Sequence, residues 1–168
     1  RQHPAFLLFT EEELRRSADV FAIELLDLKA HHKVLHGQDC LDGLEVPMDL
    51  HRIQLEHELR SKLIRLRQAY VAIAGQRKEV LRLLTESVSS FMTLFRHTLI
   101  ALGEQPPPHK HAVLDRLAER LKLDLSAFHA VLSVREGKKL DVDVATIARG
   151  YLQAVARVVE EVDRLPAA

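Results

Sequence analysis

The stretch VLRLLTESVSSFMTLFRHTLIAL (80–102) places an apolar side chain at every third or fourth position. This stripe consists of Val80, Leu84, Val88, Phe91, Phe95, Leu99 and Leu102. Such spacing is typical of one buried face of an amphipathic α-helix. The sequence therefore predicts a long helix over residues 76–102, which ends at Gly103.

A second long helix is predicted immediately before this stretch. It begins near Asp49 and ends at Gly75, which gives it about six or seven turns. Its apolar stripe consists of Leu55, Leu59, Leu63, Leu66, Tyr70 and Ile73. Because its other positions are mostly charged or polar, we expect this helix to bury one face only.

Three shorter helices are predicted after the segment EQPPPH (104–109), whose consecutive prolines cannot extend a helix. The first covers residues 110–121. The second begins at a cap formed by Asp124 or Ser126, and the third covers residues 142–165. Their stripes are Val113, Leu114, Leu117 and Leu121, then Leu125, Phe128, Leu132 and Val134, and finally Val144, Ile147, Tyr151, Val155, Val158 and Val162. Burial must hold the last helix in place, because its many valines do not favour a helix by propensity.

Residues 50–168 are therefore predicted to form a mainly α, up-and-down bundle of four to five helices. The composition agrees, since aliphatic residues dominate and aromatic residues make up 5% of the 168-residue chain. Lys and Arg number 24, as do Asp and Glu, and this balance argues against a nucleic-acid or membrane-surface protein. No apolar run reaches membrane-spanning length. The single cysteine, Cys40, excludes an internal disulfide and suggests a cytoplasmic protein.

The first part of the chain has a different pattern. The apolar run AFLLF (5–9) predicts a strand. Thr10 and Glu13 then match a capping box, which predicts one or two helical turns. The apolar segment VFAIELLDL (20–28) predicts a second strand, and KAHHKVLHG (29–37) predicts a short helix that ends at its glycine.

The order strand, helix, strand, helix makes residues 1–37 the trailing edge of an α/β domain, and the turn-rich residues 38–49 a linker. Since the chain begins at Arg1 rather than Met, we expect it to be a fragment of a longer protein. On a strand, Glu24 would lie on the face opposite Ile23 and Leu25. It is then either an edge carboxylate in solvent or, on a packed face, a base, a metal ligand or an ion-pair partner.

The segment VFAIELLDLKAHHKVLHG (20–37) resembles the end of a minimal nucleotidyltransferase domain, of the family related to kanamycin nucleotidyltransferase and DNA polymerase beta. In that family a Gly-Ser pair and two aspartates precede a third acidic residue on a later strand. The resemblance implies that Glu24 is the third carboxylate, and that Asp27 and Leu28 are the Asp-Leu that follows it. Three such carboxylates hold Mg²⁺ ions that orient a nucleotide triphosphate for phosphoryl transfer. No Gly-Ser pair with two aspartates precedes Glu24 here, so we expect no transfer by this chain alone.

Together with EHELRSKLIRLRQAY (56–70), the resemblance extends over residues 14–102 to bacterial proteins that join such a domain to a C-terminal helical bundle. It implies that the bundle helps to bind the acceptor substrate and contributes to a homodimer. Candidate ligands for a phosphate or an acceptor are Arg60, Lys62, Arg65 and Arg67, with Glu58 or Glu56 as a base. The alternative is a solvated face with Glu56–Arg60 and Glu58–Lys62 ion pairs four residues apart.

Three other functions stay open. His32 and His36 would share a helix face and could bind a metal ion, although solvated histidines are the simpler interpretation. Arg52 and His57 resemble the Arg-x4-6-His motif of helical nucleases that accompany minimal nucleotidyltransferases, which implies a helical RNase. The heptad-like stripes could also continue into a partner helix, as in a non-enzymatic protein-interaction module.

Overall fold

The computed structural model describes residues 8–140 and 142–166, and in these ranges the chain is helical and contains no strand. The helices are α1 (Glu11–Arg16), α2 (Ala22–Ala30), α3 (Met48–Ala72), α4 (Arg77–Ala101), α5 (Lys110–Leu121), α6 (Ser126–Arg135) and α7 (Val144–Asp163). The chain divides into two compact units between Gln54 and Leu55, two neighbouring residues of α3. We call residues 8–54 the N-terminal unit and residues 55–166 the helical bundle. The predicted mainly α fold is confirmed.

The helical bundle follows the predicted apolar stripes closely. Helices α4, α6 and α7 pack against one another, and α5 packs on α4 and α6. The buried stripe residues are Val80, Leu84, Val88, Phe91, Phe95 and Leu99 on α4, and Val144, Ile147, Tyr151, Val155, Val158 and Val162 on α7. The bundle portion of α3 buries Leu55, Leu59, Leu63 and Leu66. The stripes therefore form the core of the bundle.

An aromatic cluster lies at the centre of this core. The ring of Phe128 on α6 stacks on Tyr151 of α7, with a centroid separation of 3.9 Å. Phe91 on α4 meets the same two rings edge to face at 6.2 and 5.9 Å. Phe95 adds a tilted contact with Phe128 at 4.7 Å. Aromatic contacts thus join α4, α6 and α7 at the centre of the bundle.

The N-terminal unit differs from its prediction, because the expected strand over residues 20–28 is wrong. Most of this segment lies in α2, whose residues Ala22, Ile23 and Leu25 are buried. A strand needs a neighbouring strand to satisfy its backbone groups, whereas a helix satisfies them internally. Since no described residue forms a strand, and Ala, Leu, Glu and Lys favour helices, the helix is the available solution.

Two further N-terminal predictions can be compared with the structure. The short helix expected over residues 29–37 is wrong, because α2 ends at Ala30 and the backbone of His31 leaves the helical conformation. Of the strand expected over residues 5–9, residues 5–7 lie outside the described residues, and Leu8 and Phe9 have no regular structure. The α/β remnant is therefore absent from the described part of the chain.

The capping box of α1 is confirmed. The backbone N–H of Glu13 donates to the Thr10 hydroxyl oxygen at 3.2 Å, and the Glu13 carboxylate accepts from the Thr10 backbone N–H at 2.7 Å. Following α1 and its 3₁₀ turn, the small core of the N-terminal unit contains Leu14, Ala18, Leu25, Leu41 and Leu44. Residues from the predicted linker thus complete this core.

None of the helices within residues 8–140 and 142–166 combines the length and the apolar character needed to cross a membrane.

Candidate functional site

Glu24 lies in the first turn of α2, where its side chain is exposed. Its carboxylate accepts a hydrogen bond from the Gln54 side-chain amide at 3.0 Å. The amide oxygen of Gln54 in turn accepts from the backbone N–H of Ile23 at 2.9 Å. Gln54 therefore satisfies one of the free N–H groups at the start of α2 and holds Glu24 beside it.

No group of three or more His, Cys, Asp or Glu side chains among the described residues could hold a metal ion. Glu24 has a single hydrogen-bonded neighbour of neutral charge, and a Mg²⁺ site needs several oxygen ligands with negative charge. A metal-binding role for Glu24 therefore stays a prediction that depends on carboxylates from a longer protein.

His32 closes the end of α2. One of its ring nitrogens, Nδ1, lies 2.9 Å from the Leu28 carbonyl oxygen, and Nε2 lies 2.8 Å from the Asp39 carboxylate. The contact with Asp39 raises the pKa of His32. Because both ring nitrogens are engaged and His36 lies outside any helix, the expected shared helix face for His32 and His36 does not form.

On α3, the two predicted ion pairs are present. The Arg60 guanidinium lies 2.7 Å from Glu56 and 3.1 Å from Asp163 of α7. Lys62 lies 3.3 Å from Glu58. The hydrogen bond to Glu56, and then the one to Asp163, raises the pKa of Arg60. Since Arg60 already binds two carboxylates, it is poorly placed to bind an anionic ligand.

Lys62 and Arg65 differ from Arg60 because they line an open groove of about 290 Å³ between α3 and α4. The other lining residues are Leu66, Ala69, Leu83, Ser87, Ser90 and Phe91. Within the described residues the Arg65 side chain makes neither an ion pair nor a hydrogen bond, which leaves its guanidinium available to a ligand. We call this feature the α3–α4 groove.

The two serines that line the α3–α4 groove make hydrogen bonds to the α4 backbone, and one of them also contacts Tyr151. The Ser87 hydroxyl lies 3.1 Å from the Tyr151 hydroxyl and donates to the Leu84 carbonyl at 3.0 Å. The Ser90 hydroxyl donates to the Ser87 carbonyl at 2.9 Å. With both donors committed to the helix backbone, their oxygens can still accept hydrogen bonds. The groove therefore combines two cations, hydroxyl acceptors and apolar walls.

Another groove, of about 310 Å³, lies between the α5–α6 turn and α7. Its arginine, Arg157, is paired with Glu160 at 2.7 Å. Its carboxylate, Asp124, accepts from the backbone N–H of Ser126 at 2.9 Å. Because these charged groups are satisfied within the protein, this groove offers less to a charged ligand than the α3–α4 groove.

Helix geometry does not place Arg52 and His57 on one face of α3. Five positions correspond to a rotation of roughly 140° at about 100° per residue. His57 is exposed, whereas Arg52 is half-buried. The helical RNase with Arg52 and His57 stays a prediction.

One polar cluster was not predicted. His111 of α5 and His129 of α6 approach with their Nδ1 atoms 2.9 Å apart. The other ring nitrogen of His129 lies 3.1 Å from Asp115, and that of His111 lies 3.3 Å from Glu136. The only sequence signal was a histidine-rich helix start, HKH (109–111), because the partner lies 18 residues away. The fold alone brings these four side chains together.

No protein-family model, curated protein or solved structure matches the chain.

Proposed function

We propose that the helical bundle is the acceptor-binding portion of a nucleotidyltransferase-like protein and that the acceptor binds in the α3–α4 groove. The observation that carries this proposal is the position of Lys62 and Arg65, which line one groove together with Ser87 and Ser90. The resemblance over residues 14–102 supports it, because it implied that the bundle helps to bind the acceptor.

The groove favours a ligand with an anionic end and a compact body. Arg65 can donate two parallel hydrogen bonds to a phosphate or a carboxylate, and Lys62 adds a point charge. A volume of about 290 Å³ suits a single sugar or a short side chain. The proposed acceptor is therefore a small phosphorylated or carboxylated hydroxyl compound.

Glu58 would serve as the base for the acceptor hydroxyl in this proposal. Its carboxylate lies 3.3 Å from the Lys62 ammonium, which places it next to the groove. Deprotonating a hydroxyl needs a carboxylate within hydrogen-bond reach of the bound acceptor. In this proposal, Glu24 acts with Mg²⁺ and a nucleotide triphosphate only in a longer nucleotidyltransferase-like protein. We propose that this longer protein is cytoplasmic.

The test is a titration of the isotopically labelled chain with glucose 6-phosphate, followed by the amide NMR signals. We expect shifts in α3 and α4 around the groove and at least tenfold weaker binding for Arg65→Ala, because the bidentate contact is lost. Arg67→Ala is the matched control, since Arg67 is an exposed arginine that does not line the groove. Equal binding by Arg65→Ala and the unmodified chain would exclude this groove as the site.

A non-enzymatic protein-interaction module is the second candidate function. The apolar stripes that first suggested it are buried within the bundle, so they cannot pair with a partner helix. Other apolar side chains are exposed, with Ile64 at 54% and Val71 at 74% on the bundle portion of α3. These two residues are seven apart and therefore share one helix face, as a dimer interface requires.

The mass of the chain in solution tests this second candidate. An α3-mediated homodimer predicts twice the monomer mass by light scattering and a monomer after Val71→Glu. Val142→Glu provides the control, because Val142 is also exposed but lies outside α3. A monomer at all concentrations would rule out the dimer.

A further inference from the structure

Four titratable side chains form a line across α5 and α6. In order they are Asp115, His129, His111 and Glu136, joined by distances of 3.1, 2.9 and 3.3 Å. Each histidine directs Nε2 at a carboxylate and Nδ1 at the other histidine. The two rings are about one-third exposed, so that protons can exchange with solvent.

The two imidazole rings meet edge to edge. Their centroids are 5.1 Å apart and their planes differ by 19°. This centroid separation is close to the sum of the 2.9 Å Nδ1–Nδ1 distance and two ring radii. The Nδ1 atoms therefore lie near the line that joins the centroids, and each points at the other, which is the geometry of an N–H···N hydrogen bond.

The contact requires a defined number of protons. Both Nε2 atoms face carboxylates, so each carries a proton that it donates. Between the two Nδ1 atoms one proton fits, because one nitrogen must donate and the other accept. We propose that His111 and His129 share this third proton and form a pH-gated clasp that joins α5 to α6, closed in the three-proton state and opened by either gain or loss of one proton.

The direction of the pH dependence follows from the proton count. A fourth proton would place two N–H groups head to head at 2.9 Å, so acid opens the clasp. Loss of the third proton would leave two lone pairs facing each other, so base opens it as well. The open rings bind more protons than the closed clasp in acid and fewer in base. The closed state is therefore most stable at a pH between the acid and the basic conditions that open it.

Helix α4, which packs on α5 and α6, and helix α7, which packs on α6, also carry titratable side chains. The titratable residues of α4 are Arg77, Lys78, Glu79, Arg82, Glu86, Arg96 and His97, and those of α7 are Arg149, Tyr151, Arg157, Glu160, Glu161 and Asp163. Asp115 and Glu136 contact the pair directly and favour its single positive charge. The nearby Arg135 is directed away, since its guanidinium donates to the Ser89 hydroxyl and the Thr85 carbonyl on α4.

A proton fits this arrangement better than a metal ion does. Two nitrogens that face each other along one line need about 4 Å between them to hold a metal at its usual bond lengths of roughly 2 Å. The observed separation is 2.9 Å. The two carboxylates bind the far ring nitrogens, so they do not converge on the space between the rings.

The first test is NMR of the intact chain labelled with ¹⁵N in its histidines. The clasp predicts a scalar coupling between the two Nδ1 nuclei near neutral pH, and two-step titration curves that His111 and His129 share. His109 is the internal control, because it is exposed and lies outside this pair, so that its Nδ1 should show no such coupling. Independent single-step titration of His111 and His129 without the coupling would overturn the proposal.

Thermal unfolding between pH 5 and 8 gives the second readout. His129→Asn keeps a hydrogen-bonding group near the Nδ1 position and cannot take up the shared proton. The melting temperature of the unmodified chain minus that of this variant should reach a maximum within this pH range. We expect this difference to fall by about 2 to 4 °C on each side of the maximum. His109→Gln should keep that profile. A difference in melting temperature that does not change with pH overturns the clasp. Stoichiometric binding of Zn²⁺ by the chelator-treated chain also overturns it, if His129→Asn abolishes that binding.

Discussion

The helical bundle and the N-terminal unit are both helical, but they differ in how each holds its helices. In the bundle, long helices bury continuous stripes around four aromatic rings. In the N-terminal unit, short helices share a core of five small or aliphatic residues. Val20, Phe21 and Leu28 remain exposed there, at 60%, 43% and 43%. Large buried side chains therefore stabilise the bundle, whereas the N-terminal unit leaves much of its apolar surface in contact with solvent.

This difference explains why the same sequence rules succeeded in one unit and failed in the other. A stripe that repeats over six turns has one consistent interpretation, because only a helix of 3.6 residues per turn aligns it. A run of nine mostly apolar residues fits a strand as well as a short helix. Tertiary contacts then select between the two.

The largest effect is expected for Phe128→Ala in the bundle. This change removes a fully buried ring that contacts three other aromatic rings, and it should lower the free energy of unfolding by about 3 to 5 kcal/mol. Urea denaturation measures it. Phe21→Ala is the matched control in the N-terminal unit, and its partly exposed ring should contribute much less. Similar losses for the two variants would contradict the contrast between the units.

The next effect is expected for Leu25→Ala in the core of the N-terminal unit. Leu25 is 3% exposed, and its loss should destabilise this unit by about 2 to 3 kcal/mol. Amide hydrogen exchange should show faster exchange in α2 and little change in α4 and α7, because local openings involve separate cooperative units. Leu28→Ala, at a 43% exposed position of the same helix, should change little. Equal acceleration in α2 and α7 would show that the units open together.

A smaller effect is expected for Tyr151→Phe. The variant loses the hydrogen bond to Ser87 and about 1 kcal/mol of stability at neutral pH. Burial raises the pKa of Tyr151, and the hydrogen bond with Ser87 offsets only part of this increase. Because the folded protein holds this proton more tightly than the unfolded chain, stability should fall as the pH rises above about 10.

In Tyr151→Phe this alkaline loss of stability should be smaller, which denaturation at pH 8 and pH 10.5 can measure. Tyr70→Phe serves as the control, since Tyr70 also belongs to an apolar stripe, that of α3, but is only half-buried. An unchanged alkaline profile in Tyr151→Phe would show that another group is responsible.

The smallest effect is expected for His32→Ala at the end of α2. The hydrogen bond between His32 and Asp39 raises the pKa of the histidine and lowers that of the carboxyl group. The contact therefore stabilises the folded state at pH values between the folded pKa of Asp39 and that of His32. It is lost as the pH rises through the folded pKa of His32 or falls through that of Asp39. Hydrogen exchange of the α2 amides should report this pH window, which His31→Ala should leave intact and His32→Ala should remove.

The candidate sites show where sequence interpretation reached its limit. The ion pairs Glu56–Arg60 and Glu58–Lys62 were predictable, because their partners lie four residues apart on one helix. The groove at Lys62 and Arg65 was not, since its other wall comes from α4. The His111–His129 contact was equally hidden, because it depends on how α5 packs against α6.

The sequence by itself determined the long helices α3, α4 and α7, their buried faces and the capping box of α1. These features depend on local periodicity and on hydrogen bonds between residues three or four apart. Only the tertiary structure decided that residues 22–30 form a helix, that Glu24 pairs with Gln54 thirty residues away, and that two histidines meet. The physical reason is distance along the chain, since contacts between remote residues arise only when the packing of the helices brings them together.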